Sequence, residues 1–151
     1  RKELKYNMTL EEMSDFFTKR IEDYEEHMLT EVEGCKEGYM KMAELIPQST
    51  KRLLDLGCGT GLELDEIFKK LPHVKVTGID LTQAMLDKLR KKHPDKELTL
   101  INANFFDYYF GIEAFDVAIS FQELHHFSHE DKIALYTKVC NALIPNGIYI
   151  E

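Results

Sequence analysis

The sequence has no excess of positive charge and no long apolar run. Its 151 residues include 19 lysines and arginines against 27 aspartates and glutamates, which gives a formal net charge of −8. Because nucleic-acid phosphates are bound by basic surfaces, this balance disfavours DNA or RNA as a partner. No stretch reaches the ~18 apolar residues that a membrane-spanning helix needs, and no charged-then-apolar leader is visible. We therefore expect neither a membrane segment nor a secretory signal.

Cysteine is also scarce. Cys35, Cys58 and Cys140 are odd in number and widely spaced, and they form no Cys-x-x-Cys pair. This pattern disfavours a disulfide framework and a cysteine zinc site. We expect free thiols, no bound metal and a reducing, cytoplasmic environment. The chain opens on Arg1 and stops at Glu151 directly after an apolar run, which suggests a part of a longer polypeptide.

The chain divides into a helical segment, residues 1–50, and an alternating remainder, residues 51–151. Apolar residues from Leu10 to Met28 recur in steps of three or four, which predicts a helix, and a second is expected over 34–46. Beyond residue 50, short apolar runs alternate with amphipathic stretches, a pattern typical of a parallel α/β sheet. The expected strands are 53–56, 74–79, 98–101, 115–120 and 148–150, and the expected helices are 62–71, 82–92 and 128–143.

The first apolar run leads into three glycines at alternate positions, Gly57, Gly59 and Gly61. Glycine lets a ligand approach the main chain, so a ligand-binding loop is favoured over a tight turn alone. The dinucleotide pattern G-x-G-x-x-G would need a glycine where Leu62 stands, which disfavours NAD. Asp55, two residues before the loop, would repel a pyrophosphate but suits an ammonium group.

Asp80 ends the second apolar run, 19 residues after Gly61. A carboxylate at such a strand end can accept hydrogen bonds from both hydroxyls of a ribose. The alternative is a cap for the helix that follows from Thr82. The preceding glycine loop favours the ribose.

Together these motifs resemble the class I S-adenosylmethionine-dependent methyltransferases. Residues 55–61 resemble the first motif of that family, and residues 78–86 resemble the second. Residues 115–120, 124–127 and 143–147 resemble its segments around the fourth and fifth strands, although Asn146 replaces a usual glycine. The resemblance implies a Rossmann-like, mostly parallel sheet with helices on both faces and strand order 3-2-1-4-5, preceded by N-terminal helices.

The resemblance also implies S-adenosylmethionine as the cofactor and assigns a part of it to each matching position. The assigned residues are Asp55, Gly57, Cys58, Gly59 and Gly61 for the methionine moiety, Asp80 for the ribose, Leu81, Met85, Asn104 and Phe105 for the adenine side, and Ser120 and Phe121 for the methyl-transfer end. The N-terminal helices are candidates for a lid in which Tyr24 covers the cofactor, whereas Met28 is expected only to pack. The basic run 88–92 is expected to be a solvated face.

The implied reaction is attack by a nucleophile on the sulfonium methyl, for which the protein mainly aligns the reactants. A general base is needed only if the acceptor must lose a proton, and His125 is the candidate, with His126 and Glu123 behind it. The alternative for this segment is a packing and turn element.

Three functions remain open at this level: methyl transfer to a small molecule, which is favoured, a non-catalytic cofactor-binding regulatory module, and an RNA methyltransferase, which the charge disfavours. The fifth apolar run, 148–150, is expected to have an unpaired outer edge without a blunting device, and thus to support a homodimer.

Overall fold

The computed structural model describes residues 10–121, 124 and 127–151, with side chains from residue 19 onward. Over these residues the strands form one sheet, and every neighbouring pair is parallel. The order is β3-β2-β1-β4-β5, which confirms the predicted topology. The strands are β1 Arg52–Leu56, β2 Lys75–Asp80, β3 Leu98–Asn102, β4 Phe115–Ile119 and β5 Leu143–Ile150.

The helices begin and end within a few residues of the predicted bounds. They are α1 Leu10–Thr30, α2 Cys35–Leu45, α3 Leu62–Lys70, α4 Gln83–Lys92 and α5 His129–Ala142. Ser128 caps α5 as expected, because its hydroxyl accepts a hydrogen bond from the Asp131 amide at 3.2 Å. None of the helices in the described part is long and apolar enough to cross a bilayer.

Successive residues of the central strand point into two separate cores. Leu53 packs on one face with Ile67 of α3 and with side chains of α2 and α4. Leu54 packs on the other face with Leu135 of α5 and with the irregular segment 103–114. Because β1 is covered on both faces, it carries a nearly continuous apolar run. Each such fully buried leucine contributes roughly 1.5–3 kcal/mol to stability.

The last strand differs from its prediction. It starts directly after α5, at Leu143, rather than at residue 148. Leu143 and Ile148 are five residues apart, yet they pair with β4 residues that are only two apart. The residues between them therefore form an irregularity inside β5, where Asn146 has a φ of +66°. Such interruptions blunt a sheet edge, which corrects the expectation that no blunting device is present.

Helix α1 is joined to α3 and α4 by partly buried charged side chains. Lys92 Nζ lies 2.8 Å from Glu25 Oε2 on α1 and 2.9 Å from Asp65 Oδ2 on α3. His93 Nε2 lies 2.6 Å from the other oxygen of Asp65, and Lys88 lies 3.9 Å from Glu25. The side chain of Lys92 is only 18% exposed. Lys88 and Lys92 are therefore interhelical contacts, and the interpretation of the basic run as a solvated face holds only for Arg90 and Lys91, which are exposed.

Candidate functional site

A cavity of about 420 Å³ opens at the carboxyl ends of the strands, beside the point where the chain crosses from β3 to the far side of β1. Ligands of open α/β sheets bind at this kind of switch point. Its walls come from the glycine loop, the ends of three strands and helices α1 and α2. The lining residues are Tyr24, Met28, Tyr39, Gly57, Cys58, Gly59, Thr60, Gly61, Leu62, Glu63, Asp80, Leu81, Thr82, Met85, Asn104, Phe105, Phe106, Phe121 and Phe127.

The glycine loop requires its glycines for the backbone it adopts. Gly57, Gly59 and Gly61 have φ values of +71°, +52° and +74°, which L side chains rarely adopt. At Gly61 a Cβ would also lie 2.5 Å from Leu89 Cδ1, so this glycine lets α3 and α4 approach each other. The loop therefore owes its shape to residues without side chains.

Four N–H groups of the loop donate hydrogen bonds to acceptors within the fold. Gly57 and Cys58 both donate to the carbonyl oxygen of Ile79, at 2.8 and 3.2 Å. Gly61 donates to the Cys58 carbonyl at 2.8 Å, and Gly59 donates to the Asp80 carboxylate at 2.9 Å. A dinucleotide loop instead points such groups at phosphate oxygens. The hydrogen bonds thus agree with the glycine spacing in disfavouring a pyrophosphate ligand.

Asp80 forms two hydrogen bonds within the fold and also lies at the cavity. Its Oδ2 accepts a hydrogen bond from the Gly59 amide. Its Oδ1 accepts a hydrogen bond from the Thr82 amide at 2.9 Å, so Asp80 caps the turn into α4. It also lines the cavity. Each carboxylate oxygen has two lone pairs, and one on each remains for a ligand hydroxyl.

Two acidic residues lie in contact beneath the loop. Asp55 is fully buried and does not line the cavity, whereas Glu63, which is 5% exposed, does. Burial raises the pKa of Glu63, and this outweighs the hydrogen bond with Asp55, which lowers it. Sequence reasoning missed Glu63, because a carboxylate in the first turn of a helix is ordinary for stability alone.

Cys58 is held as a neutral thiol. Burial raises its pKa strongly, and the nearby negative charges of Asp55 and Glu63 raise it further. The thiol thus packs in the loop and is not a nucleophile at neutral pH.

The segment after β3 forms the opposite wall. Asn104 is exposed, and its Oδ1 accepts a hydrogen bond from the Phe106 amide at 3.0 Å. Asn104 and Phe105 line the cavity together with Leu81 and Met85 from the other side. These predicted adenine-side residues therefore meet around one space.

Lys138 of α5 holds this segment in place from behind. Its Nζ donates to the carbonyl oxygens of Phe105 and Phe106, at 2.8 and 2.9 Å, and lies 4.3 Å from the centre of the Phe110 ring. Burial lowers the pKa of Lys138. Nothing local in the sequence pointed to this contact, since residues 105 and 138 are far apart in the chain.

Aromatic side chains close the cavity at the end of β4. Phe121 lines it, whereas Ser120 is fully buried behind and does not. The ring of Tyr39 lies 4.3 Å from that of Phe121. A Cβ on Gly38 would lie 2.9 Å from the Phe121 ring, so α2 rests directly on it.

Helix α1 contributes Tyr24 and Met28 to the cavity wall. Met28 packs against the cluster of Cys35, Tyr39 and Leu62, as expected, and lines the cavity in addition. Tyr39, Phe106 and Phe127 also line the cavity and were not predicted as site residues, although Phe127 belongs to the segment 124–127 that resembles the family.

His125, the predicted base, lies outside the described residues, as do His126 and Glu123. Among the residues that are described, no group of three or more His, Cys, Asp or Glu side chains gathers as a metal site would.

Comparison with known families identifies the family of this chain. A family described as a methyltransferase domain matches residues 53–147, from β1 into β5. This chain belongs to the class I S-adenosylmethionine-dependent methyltransferase family. The matched range contains the glycine loop and Asp80, and it confirms the resemblance on which the site residues were assigned.

Relatives with known names align with most of this chain. The malonyl-[acyl-carrier protein] O-methyltransferase of Legionella pneumophila is 30% identical over 115 residues, which are 76% of this chain and 40% of that protein. The trans-aconitate 2-methyltransferase of Rhodopseudomonas palustris is 26% identical over 82% of this chain and 46% of that protein. The chain thus spans less than half the length of these relatives.

A solved structure has the same fold. The S-adenosylmethionine-dependent methyltransferase from Mesorhizobium loti superimposes with a TM-score of 0.62 at 27% identity, covering 80% of this chain and 53% of that one. The Rossmann-like architecture of the methyltransferase domain is therefore shown by sequence and by structure.

Proposed function

We propose that this methyltransferase domain binds S-adenosylmethionine in the cavity above β1 and transfers its methyl group to a small-molecule acceptor. The observation that carries the proposal is the contact between the two motifs. Asp80 of the second motif accepts a hydrogen bond from the amide of Gly59 in the first, and both residues line the cavity. Membership of the family implies the cofactor, and the cavity has the size of a small-molecule site.

The charge of the cavity supports a cationic ligand. Glu63 and Asp80 line it, and no lysine or arginine does among the described residues. S-adenosylmethionine carries a sulfonium and an ammonium, so acidic walls favour it over a pyrophosphate-containing cofactor. The methionine moiety would lie toward Glu63 and the loop, the ribose at Asp80, and the adenine between Asn104, Phe105 and Met85.

In the reaction proposed, the sulfonium is already an activated leaving group, so this chain mainly aligns the acceptor with the methyl and excludes water. Phe121, Tyr39 and Tyr24 form the apolar walls that would do so. His125 remains the proposed base for an acceptor that must lose a proton. Residues 1–50 are proposed as the lid, with Tyr24 and Met28 as its contact with the cofactor.

The names of two relatives support a small acceptor. One is named for trans-aconitate and another for a malonyl group on an acyl-carrier protein. We propose a small organic molecule, free or carrier-bound, and not a nucleic acid. Three free thiols support the reducing, cytoplasmic compartment included in this proposal.

The test is calorimetry with S-adenosylhomocysteine, followed by S-adenosylmethionine turnover on a panel of small carboxylic acids, amines and phenols. We expect saturable binding and methylation of at least one class. Absence of binding would refute the cofactor assignment. Binding with no turnover on any acceptor would instead favour a regulatory, non-catalytic module.

A homodimer through the outer edge of β5 is also part of the proposal. The position of β5 at the end of the strand order supports it, although the irregularity before Ile148 leaves only residues 148–150 as a short stretch for pairing. Sedimentation velocity over a hundredfold concentration range should show a rise from monomer to dimer. A single monomer boundary throughout would contradict the dimer.

A further inference from the structure

The acidic residue of the first motif does not line the cavity. Asp55 is fully buried, whereas Glu63, which is also buried, does line it. The two carboxyl groups share a hydrogen bond. Two carboxylates this close cannot both be ionised cheaply, so such a pair holds one proton between them.

We propose that Asp55 and Glu63 act as one proton-sharing pair, in which Glu63 is the member that receives the ammonium of the cofactor, and that the pair gives up its proton when the cofactor binds. This inference rests on the proposed binding of S-adenosylmethionine. It adds Glu63 to the binding residues and makes cofactor affinity depend on pH.

The proton balance is simple. Before binding, one carboxyl donates a hydrogen bond to the other carboxylate, and the pair carries a single negative charge. An ammonium placed against Glu63 favours the doubly ionised pair, since a positive charge at contact distance offsets the repulsion. The O–H bond breaks, the proton passes to the buffer, and the pair then carries two negative charges. No other reactant is required.

A second observation points to a ligand at the same place. The hydroxyl of Thr60, which is 1% exposed and lines the cavity next to Glu63, has no hydrogen-bond partner among the described residues. A buried hydroxyl without a partner costs free energy, and a polar ligand group would satisfy it. Thr60 and Glu63 thus offer an acceptor pair on the side of the cavity where the amino-acid moiety is proposed.

Other charges around the pair set the pH range of this exchange. On the elements that face it, these are Cys58 in the loop, Asp65 on α3, Asp80 at the end of β2 and Lys92 on α4, while the phenols of Tyr24 and Tyr39 line the same cavity. Asp65 raises the pKa of Glu63 and Lys92 lowers it, but burial is the largest cause, and it favours the protonated form. Lys92 is itself paired with Glu25 and Asp65, which limits its effect.

The experiment measures protons directly. Calorimetric titration of S-adenosylhomocysteine in phosphate and in Tris, buffers with different ionisation enthalpies, gives the number of protons released per ligand bound. Titrations from about pH 5 to pH 8 should show proton release, up to one proton per ligand, for the unmodified protein, and an affinity that rises with pH over the range in which protons are released. 5′-Methylthioadenosine, which lacks the ammonium and the carboxylate, should bind without releasing a proton.

Glu63→Gln keeps a hydrogen bond to Asp55 but removes the shared proton, so we expect proton release to vanish and affinity for S-adenosylhomocysteine to fall about tenfold, the size of a lost charge-assisted hydrogen bond. Glu66→Gln, on the exposed side of the same helix, is the matched control and should behave like the unmodified protein.

The outcomes separate the two proposals. If S-adenosylhomocysteine does not bind at all, the proposed function fails, and this inference with it. If it binds without proton release, or if 5′-methylthioadenosine releases as many protons, the function stands and the pair is refuted. The second comparison uses only the unmodified protein, so it decides the matter even if Glu63→Gln does not fold.

Discussion

The carboxylate of Asp80 accepts a hydrogen bond from the amide of Gly59 at 2.9 Å, although the two residues belong to different strand ends and are 21 positions apart. This bond joins the end of β2 to the glycine loop after β1. A change at either residue therefore affects the shape of the loop as well as any direct contact with the cofactor.

Asp80→Ala should weaken binding of S-adenosylhomocysteine by on the order of 1.5–3 kcal/mol, because hydrogen bonds of the carboxylate to ribose and to Gly59 are lost together. Asp80→Asn should lose less, since one acceptor oxygen remains. Calorimetry measures both. Asp87→Asn, in the following helix α4, where the carboxylate accepts a hydrogen bond from Gln83, is the control. An unchanged dissociation constant for Asp80→Ala would leave this residue as a cap only.

Gly59→Ala should also weaken binding, for a backbone reason. Its φ of +52° costs an L residue about 1–2 kcal/mol, whereas the added Cβ would only touch Met85 Sδ at 3.6 Å. Gly34→Ala is a matched control, with a φ of +80° and nothing within 4 Å of its Cβ. Urea unfolding should show a similar loss for both variants. Cofactor affinity should fall only for Gly59→Ala, and equal affinities would contradict the placement of the loop in the site.

Lys138→Met should loosen the wall that carries Asn104 and Phe105. Two carbonyl groups lose their charged donor, and we expect about 1–3 kcal/mol less stability and a several-fold weaker affinity for the cofactor. Lys132→Met on the same helix is the control. Hydrogen exchange of residues 103–110 should speed up in the first variant alone. Unaltered exchange there would mean that the packing of Phe110 is enough to hold the wall segment in place.

Glu63→Gln should change the pH dependence of stability in the ligand-free protein. The folded state raises the pKa of Glu63, so its contribution to stability is present at acid pH and is lost as the pH rises through the folded value. Glutamine has no such loss. The free energy of unfolding of the variant, relative to the unmodified protein, should therefore be higher at pH 8 than at pH 5. A difference independent of pH would contradict the shift.

Glu25→Gln should release α1 from the core, because it removes the partner of Lys92 on that helix. Hydrogen exchange of α1 should accelerate about fivefold at low salt, as expected for the loss of ~1 kcal/mol. Glu22→Gln, on the same helix and exposed, should leave exchange unchanged. High salt should reproduce part of the effect in the unmodified protein. If neither Glu25→Gln nor high salt changes the hydrogen exchange of α1, apolar contacts alone hold this helix.

The architecture could be predicted because its signals are local. Apolar periodicity and three closely spaced glycines identify strands, helices and the loop without knowledge of their neighbours. The start of β5 could not be predicted in this way, since its pairing across the irregularity depends on β4. The same limit applies to the cavity. Gly59 and Asp80 belong to recognisable motifs, but Tyr39 and Lys138 come near the cavity only through contacts between distant parts of the chain.

The absence of a side chain at position 38 has a consequence for how such a domain can diverge. Any larger residue there would push against the ring of Phe121, which is itself a wall of the cavity. A single codon change in α2 would thus reshape the cavity while leaving the cofactor motifs untouched. Natural variation at this position offers a simple route by which one scaffold acquires a different range of substrates.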